Sequence, residues 1–115
     1  MRRDLRLYLD DILEAINKIR DYTIGMDYAS FSNDAKTQDA VVRNLEIIGE
    51  AAGRLQGQVK DMSPDIEWRK IVALRNILIH EYFGVSLPIV WDIIQSKLDS
   101  LESTCQVLLN NLPNT

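Results

Sequence analysis

The sequence predicts an all-α protein built as an antiparallel four-helix bundle, on three observations. Apolar residues recur at spacings of three and four along most of the 115 residues, which is the helical period. Alternating apolar and polar runs of the kind that mark strands are absent. Only five glycines and three prolines interrupt the pattern, so breaks between elements are few and short. Four amphipathic helices joined by short connections pack most simply antiparallel.

The first helix is expected from about Arg3 to Thr23, with Leu5, Leu9, Ile12, Leu13, Ile16 and Ile19 on one face and Gly25 as its stop. Asp27 to Ser32 reads as a short connection or one turn of helix. A second helix starts after a cap from Ser32, Asn33 or Asp34 and reaches about Leu55, burying Val41, Leu45, Ile48, Ala52 and Leu55. Gly53 and Gly57 weaken its end. Ser63 before Pro64 opens a third helix, with Asp65 and Glu67 placed well for its positive end, and that helix closes near Tyr82 to Gly84. Ser86 caps a fourth, in which Leu87, Val90, Trp91, Ile94, Leu98, Leu101, Cys105, Leu108 and Leu112 form a seam repeating close to every 3.5 residues.

Length and composition narrow the function classes. A chain of 115 residues is one domain, spanning residues 1–115, large enough for a core but not for two. The 46% apolar and 26% charged content is that of a soluble globular protein. No apolar run approaches the roughly 18 residues that cross a bilayer, and Met1-Arg2-Arg3-Asp4 leads into charged helix without a signal-peptide core, so no membrane association and a cytoplasmic location are expected. Cys105 has no second cysteine to pair with and occupies an apolar helical position, so it reads as packing. One histidine and one cysteine are too few nitrogen and sulfur ligands for a metal site of the usual kind, and no other cofactor is expected. The net charge of -4 argues against a broad nucleic-acid surface, because sequence-independent affinity comes from Lys and Arg on phosphates. A small basic site remains compatible with it.

The stretch from Arg75 to Phe83 sets Arg75, Asn76, His80 and Tyr82 among Ile71, Val72, Ala73, Leu74, Ile77, Leu78 and Ile79. A helix apolar on all sides is largely buried, and polar groups there need partners. Asn76 and His80 stand four apart on one face, Arg75 and Tyr82 seven apart on the adjoining one, and Arg75 to His80 is about 140° of rotation. All four can therefore line one broad edge. Two readings stand side by side: a satisfied core histidine with an arginine and asparagine on nearby carbonyls, or a phosphate-handling site made of a guanidinium and an imidazole.

Two further features have a plain reading and a sharper one. Arg43, Glu46, Glu50 and Arg54 share a stripe of the second helix with alternating sign; they form either a solvated ladder of ion pairs or partners for Arg75 or another subunit. Trp68 and Trp91 lie at helical spacing with core residues, which fits packing better than a base-stacking platform.

The chain resembles the HepT-like toxins of the HEPN group, small helical bundles usually encoded beside a minimal nucleotidyltransferase, MNT. The resemblance covers essentially the whole sequence. Its centre is the family's arginine, four residues, histidine, one residue, tyrosine, met by Arg75, His80 and Tyr82 with Asn76 directly after the arginine. The segment Gln38 to Ala52 and the run Tyr82-Phe83-Gly84-Val85 into Val90-Trp91 are similar as well, and no motif position departs from the pattern.

The resemblance implies a toxin acting as a metal-independent endoribonuclease on RNA, tRNA or mRNA, with Arg75 and His80 as the catalytic pair and Asn76 in support. It implies that the MNT antitoxin transfers AMP from ATP to Tyr82 and so silences the toxin. Metal-free RNA cleavage needs a base, an acid and a cation at the phosphorane; imidazole suits the first two and guanidinium the third. A two-fold homodimer would bring two copies of the motif to one cleft and supply the second histidine this chain lacks, with Arg69 and Lys70 adding charge, and the antitoxin could build it into a larger hetero-oligomer. AMP on Tyr82 would put bulk and negative charge beside His80. Two rivals stay open: a non-enzymatic helical subunit presenting substrate to a separate nucleotidyltransferase, and a dimeric adaptor in which the motif is a structural hydrogen-bond cluster.

Overall fold

The computed structural model describes residues 5–59, 71–73 and 86–112, with backbone only over 56–59. Among the described residues every regular element is helical and none is a strand: α1 (Leu5–Thr23), α2 (Tyr28–Ser32), α3 (Ala35–Val59), α4 (Leu87–Ser96) and α5 (Leu98–Asn110), with residues 71–73 helical as well. The all-α expectation therefore holds across them. The expected third helix falls on these three residues and otherwise lies outside the described ones.

α1 ends where expected. Thr23 returns its hydroxyl to the Ile19 carbonyl at 2.8 Å, the Met26 amide donates to the Thr23 carbonyl at 3.0 Å, and Gly25 takes the left-handed backbone at φ 75° that closes a helix and that side chains resist. The stretch after it is more ordered than its sequence suggested. Asp27 accepts from the Ser30 amide at 2.8 Å while Ser30 accepts from the Asp27 amide at 3.0 Å, a reciprocal capping box that starts α2.

Of the three candidate caps for α3, Asp34 does the work: its carboxylate accepts from the Thr37 amide at 3.0 Å and hydroxyl at 2.8 Å. Those bonds hold the Asp34 carboxyl below its ordinary range, as the Ser30 amide does for Asp27. α3 runs past Leu55 to Val59 despite Gly53 and Gly57. The weakening expected from those glycines does not end it, because propensity of about 1 kcal/mol per glycine yields to packing.

The expected single fourth helix is two. α4 and α5 are separated by Lys97, whose backbone stays right-handed but with φ opened to -110°, and Lys97 still donates to Ile93 at 3.0 Å and accepts from Leu101 at 3.3 Å. Immediately before it, the Ser96 hydroxyl donates to the Asp92 carbonyl at 2.7 Å, a back-bond that bends helices. Ser86 stands at the N-cap position with its carbonyl accepting from Val90 at 3.1 Å, but its hydroxyl makes no capping bond, and Pro88 in the first turn fixes the start instead.

The core joins Leu9, Ile12, Ile16 and Ile19 of α1 to Val41, Leu45, Ile48, Ala52 and Leu55 of α3, with Phe31 of α2, Val90 and Ile94 of α4, and Leu98, Leu101, Cys105 and Leu108 of α5. Leu5, Leu13, Leu87, Trp91 and Leu112 pack against it only half-buried. Each fully buried Leu or Ile contributes about 1.5–3 kcal/mol of transfer free energy. α1 packs on α3 and α5, α2 on α3 and α4, and α4 on α5.

Candidate functional site

The expected site residues Arg75, Asn76, His80 and Tyr82 lie outside the described residues, as do Arg69 and Lys70. What the structure does give is the chain on either side of them. Ile71 and Val72 pack half-buried against the core, and Ala73 is exposed. Val72 lies over α3 at Gly53, where an added Cβ would meet its two methyls at 3.8 and 3.9 Å. Beyond the motif the chain resumes at Ser86, and Val90 is wholly buried four residues later. The described chain on either side of the motif therefore contributes side chains to the core.

The charged stripe on α3 is an intrahelical ladder where its contacts are described. Arg43 reaches Glu46 at 3.5 Å and Arg54 reaches Glu50 at 3.4 Å; three of these side chains are well exposed and Glu46 is the most covered. Pairs of this kind contribute a few tenths of a kcal/mol. Between them Asn44 is buried, its amide donating to the Ala40 carbonyl at 2.9 Å. Trp91 packs as expected, its ring 5.1 Å from Phe31 and 6.4 Å edge-on from Tyr28. Trp68 lies outside the described residues. Cys105 is buried, and burial pushes its thiol up to about 12, which is the chemistry of an inert core thiol. Among the described residues no group of three or more His, Cys, Asp or Glu is placed to hold a metal ion, and no helix is long and apolar enough to cross a membrane.

One charged constellation was not anticipated from the sequence. Arg20 near the end of α1 donates to Asp99 and, at 2.8 Å, to Glu102 in the first turns of α5. The Glu102 hydrogen bond, with the attraction of both carboxylates, raises the guanidinium further above its ordinary value. Asp99 and Glu102 stand three apart on one helical face, a signal that two acids share an edge but not which cation they would meet.

Compared with known proteins, residues 12–108 match the family model described as ribonuclease HepT-like. This chain belongs to the HepT-like ribonuclease family. A probable ribonuclease HepT of Thermococcus cleftensis is 40% identical over 108 residues, 94% of this chain and 98% of that protein. A provisionally named RNase of Methanocaldococcus jannaschii is 36% identical over 107 residues, 93% and 98% of the two chains, and a second from the same organism is 42% identical over 97 residues, 84% and 80%. No solved structure matches. The HepT-like match takes in α1 from Ile12, all of α2, α3 and α4, and α5 up to Leu108, so the family relationship spans the chain on both sides of the Arg75 to Tyr82 motif as well as the motif itself.

Proposed function

We propose that this chain is the toxin of a HepT/MNT toxin–antitoxin pair: a metal-independent endoribonuclease, cytoplasmic, folded as one domain in an antiparallel four-helix bundle and working as a two-fold homodimer. The observation that carries the reading is the near full-length match to relatives named as ribonucleases, in a chain whose Arg75, His80 and Tyr82 keep the arginine, four residues, histidine, one residue, tyrosine spacing.

Arg75 and His80 form the catalytic pair and Asn76 supports them. One imidazole takes the proton from an RNA 2′-hydroxyl as its oxygen attacks the neighbouring phosphorus. An imidazolium gives a proton to the 5′-oxygen as the P–O5′ bond breaks, leaving a 2′,3′-cyclic phosphate and a 5′-hydroxyl. Arg75 stabilises the charge on the phosphorane oxygens between those events. Two histidines are needed at once and each chain has one, which is the chemical reason for the two-fold pairing; coupled imidazoles across a dyad share the acid and base roles as a pair. The antitoxin, an MNT nucleotidyltransferase, moves AMP from ATP to the Tyr82 oxygen with loss of pyrophosphate, placing a phosphodiester two residues from His80 where RNA phosphate must sit. A larger hetero-oligomer with the antitoxin fits the same scheme.

The test is cleavage of tRNA and mRNA by unmodified protein in EDTA, beside His80→Ala and Arg75→Ala, with intact mass followed after addition of ATP and the adjacent nucleotidyltransferase. The expected result is EDTA-resistant cleavage abolished in both variants and adenylate-sized mass steps absent from Tyr82→Phe. Stable, inert wild-type protein would turn the reading to a non-enzymatic subunit of the nucleotidyltransferase.

A further inference from the structure

The corner between α1 and α2 carries three large apolar side chains that the fold leaves uncovered. Ile24 is 82% exposed, Tyr22 42% and Tyr28 38%, all within seven residues. A single exposed apolar residue is ordinary; this group differs in being held on a fixed turn. Gly25 in the left-handed backbone, the Asp27–Ser30 capping box and the Thr23 back-bond fix the chain on both sides of Ile24. Tyr28 is seated edge-on against Trp91. Little conformational freedom is left to lose on binding, and tyrosine is the residue type that anchors protein interfaces.

The charges around the corner choose among occupants. Asp21 precedes Tyr22 and Asp27 lies between Ile24 and Tyr28 in sequence, and both are exposed. Arg20, the nearest cation in sequence, is already taken by Asp99 and Glu102. RNA phosphate is repelled by such a rim. A second copy docking through the same corner would set these carboxylates against their own kind. The fitting surface is a protein with an apolar pocket rimmed by Lys or Arg.

We propose that the α1–α2 corner is the docking point for the nucleotidyltransferase partner, with Ile24 and the two tyrosines as anchors and Asp21 and Asp27 as the electrostatic guide. This rests on the partner half of the function proposed above and adds the surface by which that enzyme holds the chain it modifies.

The experiment measures binding of the full chain to the adjacent nucleotidyltransferase by calorimetry, for wild type, Ile24→Asp, Asp21→Lys and Val107→Asp, the last being an exposed apolar position on α5 (57% exposed). Ile24→Asp is expected to weaken binding by about 30-fold or more, as loss of an anchor does. Asp21→Lys should slow association and flatten its salt dependence, and Val107→Asp should stay within about twofold, as positions outside an interface do. Ile24→Asp binding like wild type, or Val107→Asp losing as much, overturns the docking point. Failure of wild type itself to bind overturns the partner reading and this inference together, while leaving the RNA-cleavage assay to stand on its own.

Discussion

α1 and the α4–α5 stretch are both amphipathic and feed the same core, yet one is a single helix and the other is interrupted at Lys97. In α1 the buried set Leu9, Ile12, Ile16 and Ile19 steps by three, four and three residues, so its face returns to the core within two heptads. The seam from Val90 to Leu108 steps by four, four, three, four and three, and the break at Lys97 falls just before Leu98, where the step changes. Those five steps cover eighteen residues, which matches the 3.6-residue period of a straight helix, so the seam itself does not call for an interruption. The interruption at Lys97 directly follows the Ser96 back-bond, a local competitor for helical hydrogen bonding. Length does not decide it either, since α3 stays one helix over 25 residues; a local side-chain bond to the backbone is what sets the α4–α5 stretch apart.

The comparison can be broken at four depths. The largest effect is expected from Ile16→Ala in α1 and Leu108→Ala in α5, each fully or nearly fully buried; both should lower stability by about 3 kcal/mol in urea denaturation, within the range for large-to-small core changes. Equal losses would mean that the interrupted segment is as firmly packed as the continuous one. Gly25→Ala comes next. No atom lies within 4 Å of the added Cβ, so only the left-handed backbone opposes it, at about 1–2 kcal/mol.

Smaller again is Arg20→Met, which removes the charged clasp between the end of α1 and the start of α5 while keeping the apolar stem. With Asp99 mostly exposed and the other two side chains about one-third exposed, a loss of about 0.5–1 kcal/mol is expected, and less in high salt. Last, Ser96→Ala should be neutral or stabilising by a few tenths of a kcal/mol, with the helix running on through Lys97 in a crystal structure of the variant. An unchanged interruption at Lys97 would show that the back-bond is not its cause.

Acid should act elsewhere. Asp27 and Asp34 have carboxyls lowered in the folded state, so the stability they add is present above the unfolded carboxylate range and is lost as pH falls through their folded values. Asp34→Asn, which keeps a capping oxygen but not the charge, should lower the neutral plateau of a stability–pH profile and leave its acid end nearly unchanged, flattening the acid limb between them.

What could be read from the sequence follows from how local the cause is. The core positions of α1 and α3 rest on periodicity within one helix, and Gly25 on a backbone preference of one residue; both were legible. The Asp27–Ser30 box has its signal in a four-residue window, yet it competes with the three polar residues at 32 to 34 for the role of helix start, and only the fold separates the two caps. The helix was expected to reach about Leu55, past Gly53; its continuation to Val59 was hidden because Gly57 weakens the local helical signal there. The Arg20 clasp was hidden because its partners lie far off in the sequence. For the candidate site, the residue types and spacing of Arg75, Asn76, His80 and Tyr82 are read from the sequence alone and lie outside the described residues, and the proposed pairing across a dyad would depend on a second chain that no single sequence displays.

Cys105 gives the chain a built-in stopwatch. A thiol pushed up to about 12 and wholly enclosed reacts with an aromatic disulfide reagent only when the helices around it part, so at neutral pH its labelling rate reports how often the core opens. With a single such group in the sequence, one colour change counts openings of one place, and the same kinetics recorded with a partner bound would show directly whether that partner holds the helices shut.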